Sequence, residues 1–557
     1  MKLWYRSEPD VVILFFHIHG DKSMPTENRL RREFLKGAGT GFAGAALAIQ
    51  AGQGTARAAE PEPKTGTFNV RTLGAVGDGK SLDTDAVNKA IGAAAAAGGG
   101  TVLFPAGTYL CRSIHLASNV DLYLDQGSTV VAADPAAPGE TGGYDAAEPN
   151  DWKAYQDYGH SHWHNSLFWG EGISNIAILG PGLIWGKGLS KGYGPGPVAE
   201  NAGVGNKAIS LKNCHNVLLR DFAILHGGHF GILATGVDNL TIDNLRIDTN
   251  RDGMDVDCCR NVRISNCYVN SPWDDGICLK SCYGLGSAKP TEFVTITNCY
   301  VSGCFEEGTL LDGTYKRFGP GVRVPHTGRI KFGTESNGGF RNITVSNCVF
   351  EGCQGLALES VDGALLEDVT ITNISMRDIM SAPIFLRLGS RMRGPAGAPV
   401  GTIKRVIISN LVCSNSVSRL GSVISGIPGH AIEDVTISHV QVWHQGGGTK
   451  EQAAIQPPEK ENGYPEPTMF GTMPSHGFYV RHATGVRFDD IEIVAAQADL
   501  RPAFVLDDVR DADFFRIRTP HEADTPVFAL HNVEDLAIHM CRSVPDTQLP
   551  KAEQTVL

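Results

Sequence analysis

The chain has 557 residues, which is longer than most single compact domains and predicts either two domains or one elongated architecture. Glycine is abundant, with 66 residues, and the formal net charge is −12. This charge argues against nucleic acid or an anionic membrane surface as the main partner. An acidic polysaccharide stays compatible with it, because basic residues can line a cleft locally.

The N-terminal segment has the pattern of an export signal. Arg31 and Arg32 precede a weakly apolar stretch that ends in an A-x-A pattern at residues 56–58. This order is typical of a twin-arginine (Tat) signal with cleavage near Ala58. We therefore predict export in the folded state, to the periplasm or the medium. No later run of about 20 apolar residues exists, so we expect no membrane insertion.

The first predicted element after this signal is a helix over residues 83–100. It begins at Asp83 and Thr84 and ends in a run of glycines. Because it precedes a series of predicted strands, we expect it to cap the open end of their fold. Further along, residues 160–165 (HSHWHN) contain Trp163, for which two interpretations stay open: a platform for a sugar ring or a local packing residue.

A strand pattern that alternates apolar and polar residues repeats along the chain. It occurs over residues 216–224, 239–247, 261–269, 293–301, 342–350, 368–376, 405–413, 434–442 and 485–493. A second strand containing a glycine is predicted over residues 229–235, 251–257, 274–280, 306–312 and 353–359. Short strands at intervals of about 22 to 26 residues, without intervening helices, predict an all-β fold of the parallel β-helix type.

The repeat also sets the expected domain organisation. We expect a signal and upstream extension over residues 1–58, a single parallel β-helix catalytic domain over 59–545, and a C-terminal tail over 546–557. Residues 446–475, rich in Gly, Pro and Glu, are interpreted as a loop insertion within that domain.

The 13 cysteines recur at one point of the repeat. Several follow an asparagine, as at Cys214, Cys267, Cys299 and Cys348. This recurrence favours small buried residues stacked on one another over a disulfide framework. The spacing of Cys and His matches no usual metal site, so we expect no metal and no cofactor.

Several carboxylates fall at equivalent positions of neighbouring repeats. Asp252 and Asp275 each precede the recurring glycine, Asp274 adjoins Asp275, and Asp255 is predicted on the outward face. Stacked strands lie about 4.8 Å apart, so we expect these side chains to converge on one exposed patch. Clustered carboxylates give the protonated acid and ionised partner that glycoside hydrolysis requires. Turn formation is the alternative explanation for any single Asp.

Two blocks around these carboxylates match a known pattern. NRDGMD (250–255) and DDGICLKS (274–281) resemble the N-T-D-G-x-D and D-D-x-x-x-x-K-S blocks of glycoside hydrolase family 28, the polygalacturonase family. Residues 68–91 and 98–110 resemble the N-terminal segment of pectinase-type β-helices, and 333–348 resembles a block of exo-acting bacterial members. The resemblance covers most of residues 68 to 380.

This resemblance implies a fold, an activity and a set of roles. The fold is a right-handed parallel β-helix, and the activity is that of an inverting hydrolase. Asp274 would be the general acid, and Asp252 and Asp275 would activate a water molecule. The implied substrate is a pectin-type polysaccharide or oligosaccharide that contains galacturonate or rhamnogalacturonan.

The chain departs from the family where the substrate carboxylate is bound. The family's His-Gly aligns with Gly328-Arg329, and its Arg-Ile-Lys, one coil later, aligns with residues 357–359, which end in Glu359. This alignment leaves an insertion over residues 305–327. An alternative alignment takes residues 329–331, which read Arg-Ile-Lys, as the family's motif. The candidate substrate-binding residues are therefore Arg251, Asp255, Lys280, Arg329 and Lys331.

Two other functions stay open from the sequence. A polysaccharide lyase on the same fold would need a basic residue and Ca²⁺ or another group that neutralises a uronate, and the Asp cluster could bind calcium. A non-catalytic, glycan-binding β-helix would keep its function without an ionisable residue at position 274.

Overall fold

The computed structural model describes residues 66–136, 142–192, 194 and 196–557. The predicted export signal in residues 1–58 therefore lies outside the described residues. The strands of the described part form one hydrogen-bonded, 34-stranded system. No helix in the described ranges is long and apolar enough to cross a membrane.

The strands stack in three series, with parallel pairing between successive coils. The first series, called the site sheet here, comprises Ile114–His115, Phe168–Glu171, Lys207–Lys212, Phe230–Thr235, Asp252–Asp257, Ile277–Ser281, Ile330–Ser336, Leu356–Ser360, Ile384–Leu388, Ser422–Ser425, Phe478–Gln497, Phe504–Phe515 and Phe528–His539. The second comprises Gly66–Asn69, Gly100–Phe104, Val120–Leu124, Ser174–Leu179, His215–Arg220, Asp238–Asp243, Arg260–Ser265, Thr291–Thr297, Phe340–Glu351, Leu365–Arg377, Thr402–Ser416 and Ile432–Gly446. The third comprises Asp78–Leu82, Gly107–Cys111, Ser128–Ala132, Leu183–Trp185, Ala223–Leu225, Arg246–Asp248, Tyr268–Asn270 and Tyr300–Ser302. The predicted all-β parallel solenoid is confirmed.

The corner between the second and third series is made by residues in the left-handed backbone region. The sequence pattern predicted one continuous strand here, but in the earlier coils the structure divides it at asparagines such as Asn266 (φ 58°) and Asn298 (φ 56°). Asparagine tolerates this conformation better than most residues. The amides also stack, since Asn298 Nδ2 donates to Asn266 Oδ1 at 3.3 Å and Asn373 Nδ2 to Asn347 Oδ1 at 3.1 Å.

The cysteine that follows each corner asparagine points into the core. All 13 cysteines are free, and all but Cys541 are buried. Cys267, Cys299 and Cys348 lie in successive coils, within the continuous apolar core of the solenoid. The predicted stacking of small buried residues is therefore confirmed, because one coil position repeats the same side chain at the same depth.

The predicted helix is present over Thr84–Ala96. It buries Val87, Ala90, Ile91 and Ala94 in the core beside the first strands. The other helices are short and lie in connections. They are the α-helices Thr309–Asp312 and Lys450–Ala453 and the 3-10 helices Val70–Leu73, Lys153–Tyr155, Tyr158–Ser161 and Pro467–Phe470.

Two expected elements differ from the structure. Residues 306–312, predicted as a strand, contain the helix Thr309–Asp312, which follows Gly308 in a left-handed conformation (φ 93°). The second strand of that coil is instead Ile330–Ser336, after the insertion. The expected C-terminal tail contains the strand Thr547–Val556, which pairs antiparallel with Phe528–His539 and covers an edge that would otherwise be unpaired.

Candidate active site

The three predicted catalytic carboxylates come together on two neighbouring coils. Met254 pairs with Ile277 in the strand register, and the Gly253 amide donates to the Asp275 carbonyl oxygen at 2.9 Å. The side chains of Asp252, Asp274 and Asp275 each contribute an oxygen to a group in which all lie within 4.8 Å of one another. The predicted convergence is therefore found for these three residues, but not on an exposed patch, since Asp252 and Asp275 are buried.

The recurring glycines allow this close stacking. A Cβ atom on Gly253 would lie 2.4 Å from the carbonyl oxygen of Gly276, and one on Gly276 would lie 3.1 Å from that of Gly328. The first distance is too short for any side chain. A glycine ladder thus brings consecutive backbones into contact and fixes the carboxylates that precede each glycine.

The three carboxylates differ in exposure and charge. Asp252 and Asp275 are each 3% exposed, whereas the side chain of Asp274 is 27% exposed. Burial and the neighbouring charge of Asp274 raise the pKa of Asp252 well above its usual range. Burial would also raise the pKa of Asp275, but Lys331 and Arg329 outweigh it and hold that pKa below the ordinary value. The cluster therefore combines one carboxyl group whose pKa is raised with one whose pKa is lowered.

Arg251 binds the most exposed member of the cluster. Its Nε and Nη2 atoms donate to Asp274 Oδ2 at 3.0 and 2.8 Å, and its Nη2 lies 3.9 Å from Asp252. The expectation that Arg251 brings positive charge next to the acids is confirmed. Arg251 thus places a cation against Asp274 and close to Asp252.

Asp255 faces outward from its strand, as predicted, but it is not on an open surface. Its carboxylate is fully buried and lies 2.8 Å from His160 Nε2 and 3.8 Å from Lys280 Nζ. Lys280 in turn lies 3.1 Å from Glu335. The expectation of an exposed substrate contact at Asp255 is wrong, because the helical turn Tyr158–Ser161 places a histidine over it.

Arg329 and Lys331 lie in the coil directly after Asp275. Lys331 pairs in register with Cys278, and Ala357 follows one coil later. This register supports the alignment in which Gly328-Arg329 replaces the family's His-Gly. Arg329 Nε donates to Asp275 Oδ1 at 2.9 Å, and Lys331 Nζ lies 3.4 Å from Asp275 Oδ2.

Glu359 completes a buried charge network around these cations. It is fully buried and lies 3.6 Å from Lys331. Burial raises its pKa to about 7, although Lys331 and Arg329 oppose the shift. Its two carboxylate oxygens make no hydrogen bond within the described residues. When Glu359 is ionised, Lys331 therefore balances the negative charge that the sequence predicts at this position.

Sequence reasoning missed the groups that cover the site. Glu466 binds Arg329. The ring of Tyr464 faces Lys331, and its hydroxyl oxygen accepts a hydrogen bond from Thr334 Oγ1 at 3.1 Å. Both lie in the predicted insertion 446–475, where no repeat pattern indicated their position. The loop's acidic composition was the one available signal.

Trp163 is not a sugar platform. It is 1% exposed, packs against Phe230 and Leu233, and its Nε1 donates to Thr235 Oγ1 at 3.0 Å. The packing interpretation of this residue is therefore correct, since stacking on a sugar requires an exposed ring face.

The site residues lie within a chain that is similar to pectin-active β-helix proteins. A family model described as "Rhamnogalacturonase A/epimerase, pectate lyase-like" matches residues 67–216, and one described as "Right handed beta helix region" matches residues 202–327. A "Probable polygalacturonase" of Vitis vinifera is 22% identical over 436 residues, which cover 73% of this chain and 80% of that protein.

Two solved structures share the fold over most of the chain. The family 28 exopolygalacturonase of Yersinia enterocolitica has a TM-score of 0.59 at 20% identity, covering 81% of this chain and 78% of that one. The exopolygalacturonase of Thermotoga maritima has a TM-score of 0.54 at 16% identity, covering 89% and 96%. The chain is therefore similar to polygalacturonases at a low level of sequence identity, and it has the fold of a right-handed parallel β-helix.

Proposed function

We propose that the chain is an inverting glycoside hydrolase that acts on a pectin-type polysaccharide or oligosaccharide containing galacturonate or rhamnogalacturonan. The observation that carries this proposal is the convergence of Asp252, Asp274 and Asp275 within 4.8 Å on adjacent coils. The names of the similar proteins, polygalacturonases and a rhamnogalacturonase, support the substrate class.

The exposure of each carboxylate supports its role. Asp274 is the most accessible and is assigned as the general acid that protonates the leaving oxygen. Asp252 and Asp275 are assigned the role of activating the water molecule that attacks the sugar. Two hydrogen bonds of roughly 2.8 Å span up to about 5.6 Å, so one water can bridge oxygens that lie within 4.8 Å.

The position of the proton sets a condition on this mechanism. Adjacent carboxyl groups titrate as one system, and the raised pKa of Asp252 favours a proton on that member of the cluster. Asp274 is ion-paired with Arg251 and lies beside Asp252. For Asp274 to act as the acid, the proton favoured at Asp252 passes to Asp274 as the leaving oxygen approaches, which leaves Asp252 ionised to activate the water molecule.

The stereochemical outcome is a separate test. Inversion is implied by the family resemblance, yet most inverting enzymes hold their two carboxyl groups roughly 6.5 to 9.5 Å apart, farther than the oxygens here. NMR of the first product decides this point: an inverted anomeric configuration supports the proposal, and a retained one contradicts it.

The activity is tested by comparing the protein with its Asp274→Asn variant. Reducing ends released from homogalacturonan, rhamnogalacturonan and their oligosaccharides are the readout. We expect a loss of roughly 10³-fold in kcat, since a general acid contributes about that much. Asp513→Asn, at an exposed aspartate on the solenoid, is the matched control. Full activity of D274N would refute the assignment, and no release from any substrate by the unchanged protein would favour a glycan-binding function.

A polysaccharide lyase is the second candidate, because three carboxylate oxygens within 4.8 Å also suit Ca²⁺. A lyase needs a deprotonated base, however. Burial would lower the pKa values of Arg329 and Lys331, but the surrounding carboxylates outweigh it and raise them well above the usual values, so both side chains keep their protons. An ultraviolet band of unsaturated product that disappears with EDTA would establish the lyase instead.

Export is proposed from residues 1–58 alone. The double substitution Arg31→Lys and Arg32→Lys should leave the precursor in the cytoplasm, because the Tat pathway requires both arginines. Fractionation of cells that express the tagged chain checks this outcome.

A further inference from the structure

The two cations next to the catalytic cluster are already occupied by carboxylates of the protein. Arg329 contacts Asp275 and donates from both terminal nitrogens to the Glu466 carboxylate. Lys331 lies 3.4 Å from Asp275, 3.6 Å from Glu359 and 3.9 Å from Glu466. Both cationic side chains are at most 2% exposed. The positive charges of both side chains are therefore already balanced by carboxylates of the protein.

Glu466 is held in this position by the packing of its own loop. The residues that follow it form the 3-10 helix Pro467–Phe470. Phe470 is 1% exposed and packs in an apolar cluster with Phe385 and Tyr479 on the outward face of the site sheet. The Glu466 side chain itself is 26% exposed, so it borders solvent while its carboxylate contacts Arg329. A protein carboxylate thus lies where a substrate carboxylate would meet these cations.

The charge of the pocket then decides which sugar fits. A uronate here must either displace Glu466 or add a negative charge beside Asp274, Asp275 and Glu359. Displacement breaks the hydrogen bonds between Glu466 and Arg329, and an added negative charge leaves a carboxylate without a partner in a largely buried site, which is strongly unfavourable. A neutral sugar offers hydroxyl donors to the same carboxylates and adds no charge.

We propose that Glu466 takes the place of a substrate carboxylate, so that the sugar unit bound beside Asp275, Arg329 and Lys331 is neutral. The substrate class is then a pectin-type saccharide with an uncharged residue at this subsite, in place of a continuous run of galacturonate. This inference rests on the proposed function, because it assigns a sugar to the subsite of that reaction.

Binding of galacturonate and galactose tests this subsite without turnover. The two sugars differ at C6, where one has a carboxylate and the other a hydroxymethyl group. NMR titrations compare the unchanged protein with Glu466→Gln, which keeps the shape and removes the charge. We expect the unchanged protein to bind galacturonate no more tightly than galactose. E466Q should bind galacturonate at least about tenfold more tightly, because Arg329 and Lys331 gain a free position for a charge-assisted contact.

The controls separate this inference from the proposed activity. Glu461→Gln changes an exposed glutamate of the same loop and should leave both affinities within about twofold. Tighter binding of galacturonate than of galactose by the unchanged protein would overturn the inference. So would an unchanged galacturonate affinity in E466Q, including undetectable binding in both proteins. If E466Q binds galacturonate more tightly but the unchanged protein hydrolyses no saccharide, the inference about the subsite stands and the proposed hydrolase activity is refuted.

Discussion

The acidic half and the cationic half of the site are built in different ways. Asp252, Asp274 and Asp275 lie within 24 residues of sequence and are brought together by the pairing of two consecutive strands. Arg329 depends on a partner, Glu466, that is 137 residues away and reaches it from a loop. The acidic half is set by the register of the solenoid alone, whereas the cationic half combines a strand in register with a carboxylate from a loop insertion.

This difference separates the chemistry of the protein from its specificity. A carboxylate cluster fixed by backbone stacking persists as long as the glycine ladder does, since Gly253 leaves no room for a side chain and Gly276 leaves little. The environment of the cations can change with a single residue of a surface loop. We therefore expect substitutions of the two halves to have distinct consequences for activity and stability.

The largest effect should come from removing the carboxylate that joins both halves. Asp275→Asn leaves the buried Arg329 and Lys331 without their shared partner. We expect the free energy of unfolding to fall by about 3 kcal/mol, as when a buried ion pair loses one member, together with a large loss of kcat. Urea denaturation and steady-state kinetics measure the two effects.

Asp274→Asn is the matched comparison for this prediction. Its side chain is partly exposed, and its removal relieves repulsion with Asp252. We expect a comparable loss of kcat but a change in unfolding free energy below about 1 kcal/mol. Equal destabilisation by D274N and D275N would show that the two halves do not differ in this way.

Glu359 should give the protein a pH-dependent stability. Its pKa is about 7 in the folded protein against 4.5 for an ordinary glutamate, so the folded state keeps a proton that the unfolded state loses between these values. Its contribution is fully present below about pH 4.5 and is lost as pH rises through about 7. The loss amounts to about 3 kcal/mol of unfolding free energy.

The Glu359→Gln variant removes this dependence. Its unfolding free energy should decline less than that of the unchanged protein between pH 5 and 8, as measured by urea denaturation at each pH. Glu433→Gln, at an exposed glutamate of the solenoid, should follow the unchanged protein. Parallel profiles for E359Q and the unchanged protein would contradict a proton held at Glu359.

The parts of the site that follow from strand register could be predicted from the sequence. The period-two alternation gave the outward direction of Asp255, and the recurring glycine gave the stacking of Asp252 on Asp275. Strict alternation would point the residue before the glycine inward, so the convergence also required a turn at the corner. Burial could not be predicted in the same way. His160 covers Asp255 from a connection that has no repeat, so nothing in the local pattern indicated the contact.

The corners of the solenoid do leave a signal in the hydrophobic pattern. The repeated Asn-Cys pair indicated stacking, and the buried cysteines confirm it. Buried apolar residues follow a spacing of two at Val294 and Ile296, but the next ones are Cys299 and Val301, so the alternation slips by one residue at Asn298. This slip marks the turn, and the prediction of one continuous strand did not use it.

The smallest expected effect tests one of these corners, far from the chemistry. Asn373 has φ 57°, and its amide donates to Asn347 at 3.1 Å. Asn373→Ala loses the amide contact. It also puts alanine in the left-handed region, where alanine lacks the polar side chain that lets asparagine adopt this conformation more easily. Together these losses should lower the free energy of unfolding by about 1 to 2 kcal/mol. The value of kcat should not change.

Asn373→Gly divides this cost into its two causes. Glycine adopts a positive φ freely, so N373G should lose only the amide contact and be less destabilised than N373A in urea denaturation. Glycine also gives the unfolded chain more conformational entropy, which lowers the free energy of unfolding of N373G by about 0.5 to 1 kcal/mol. A higher stability of N373G than of N373A in spite of that entropy would show that backbone conformation is the larger reason for asparagine at the corner. The reverse order would assign the position to the side-chain ladder instead.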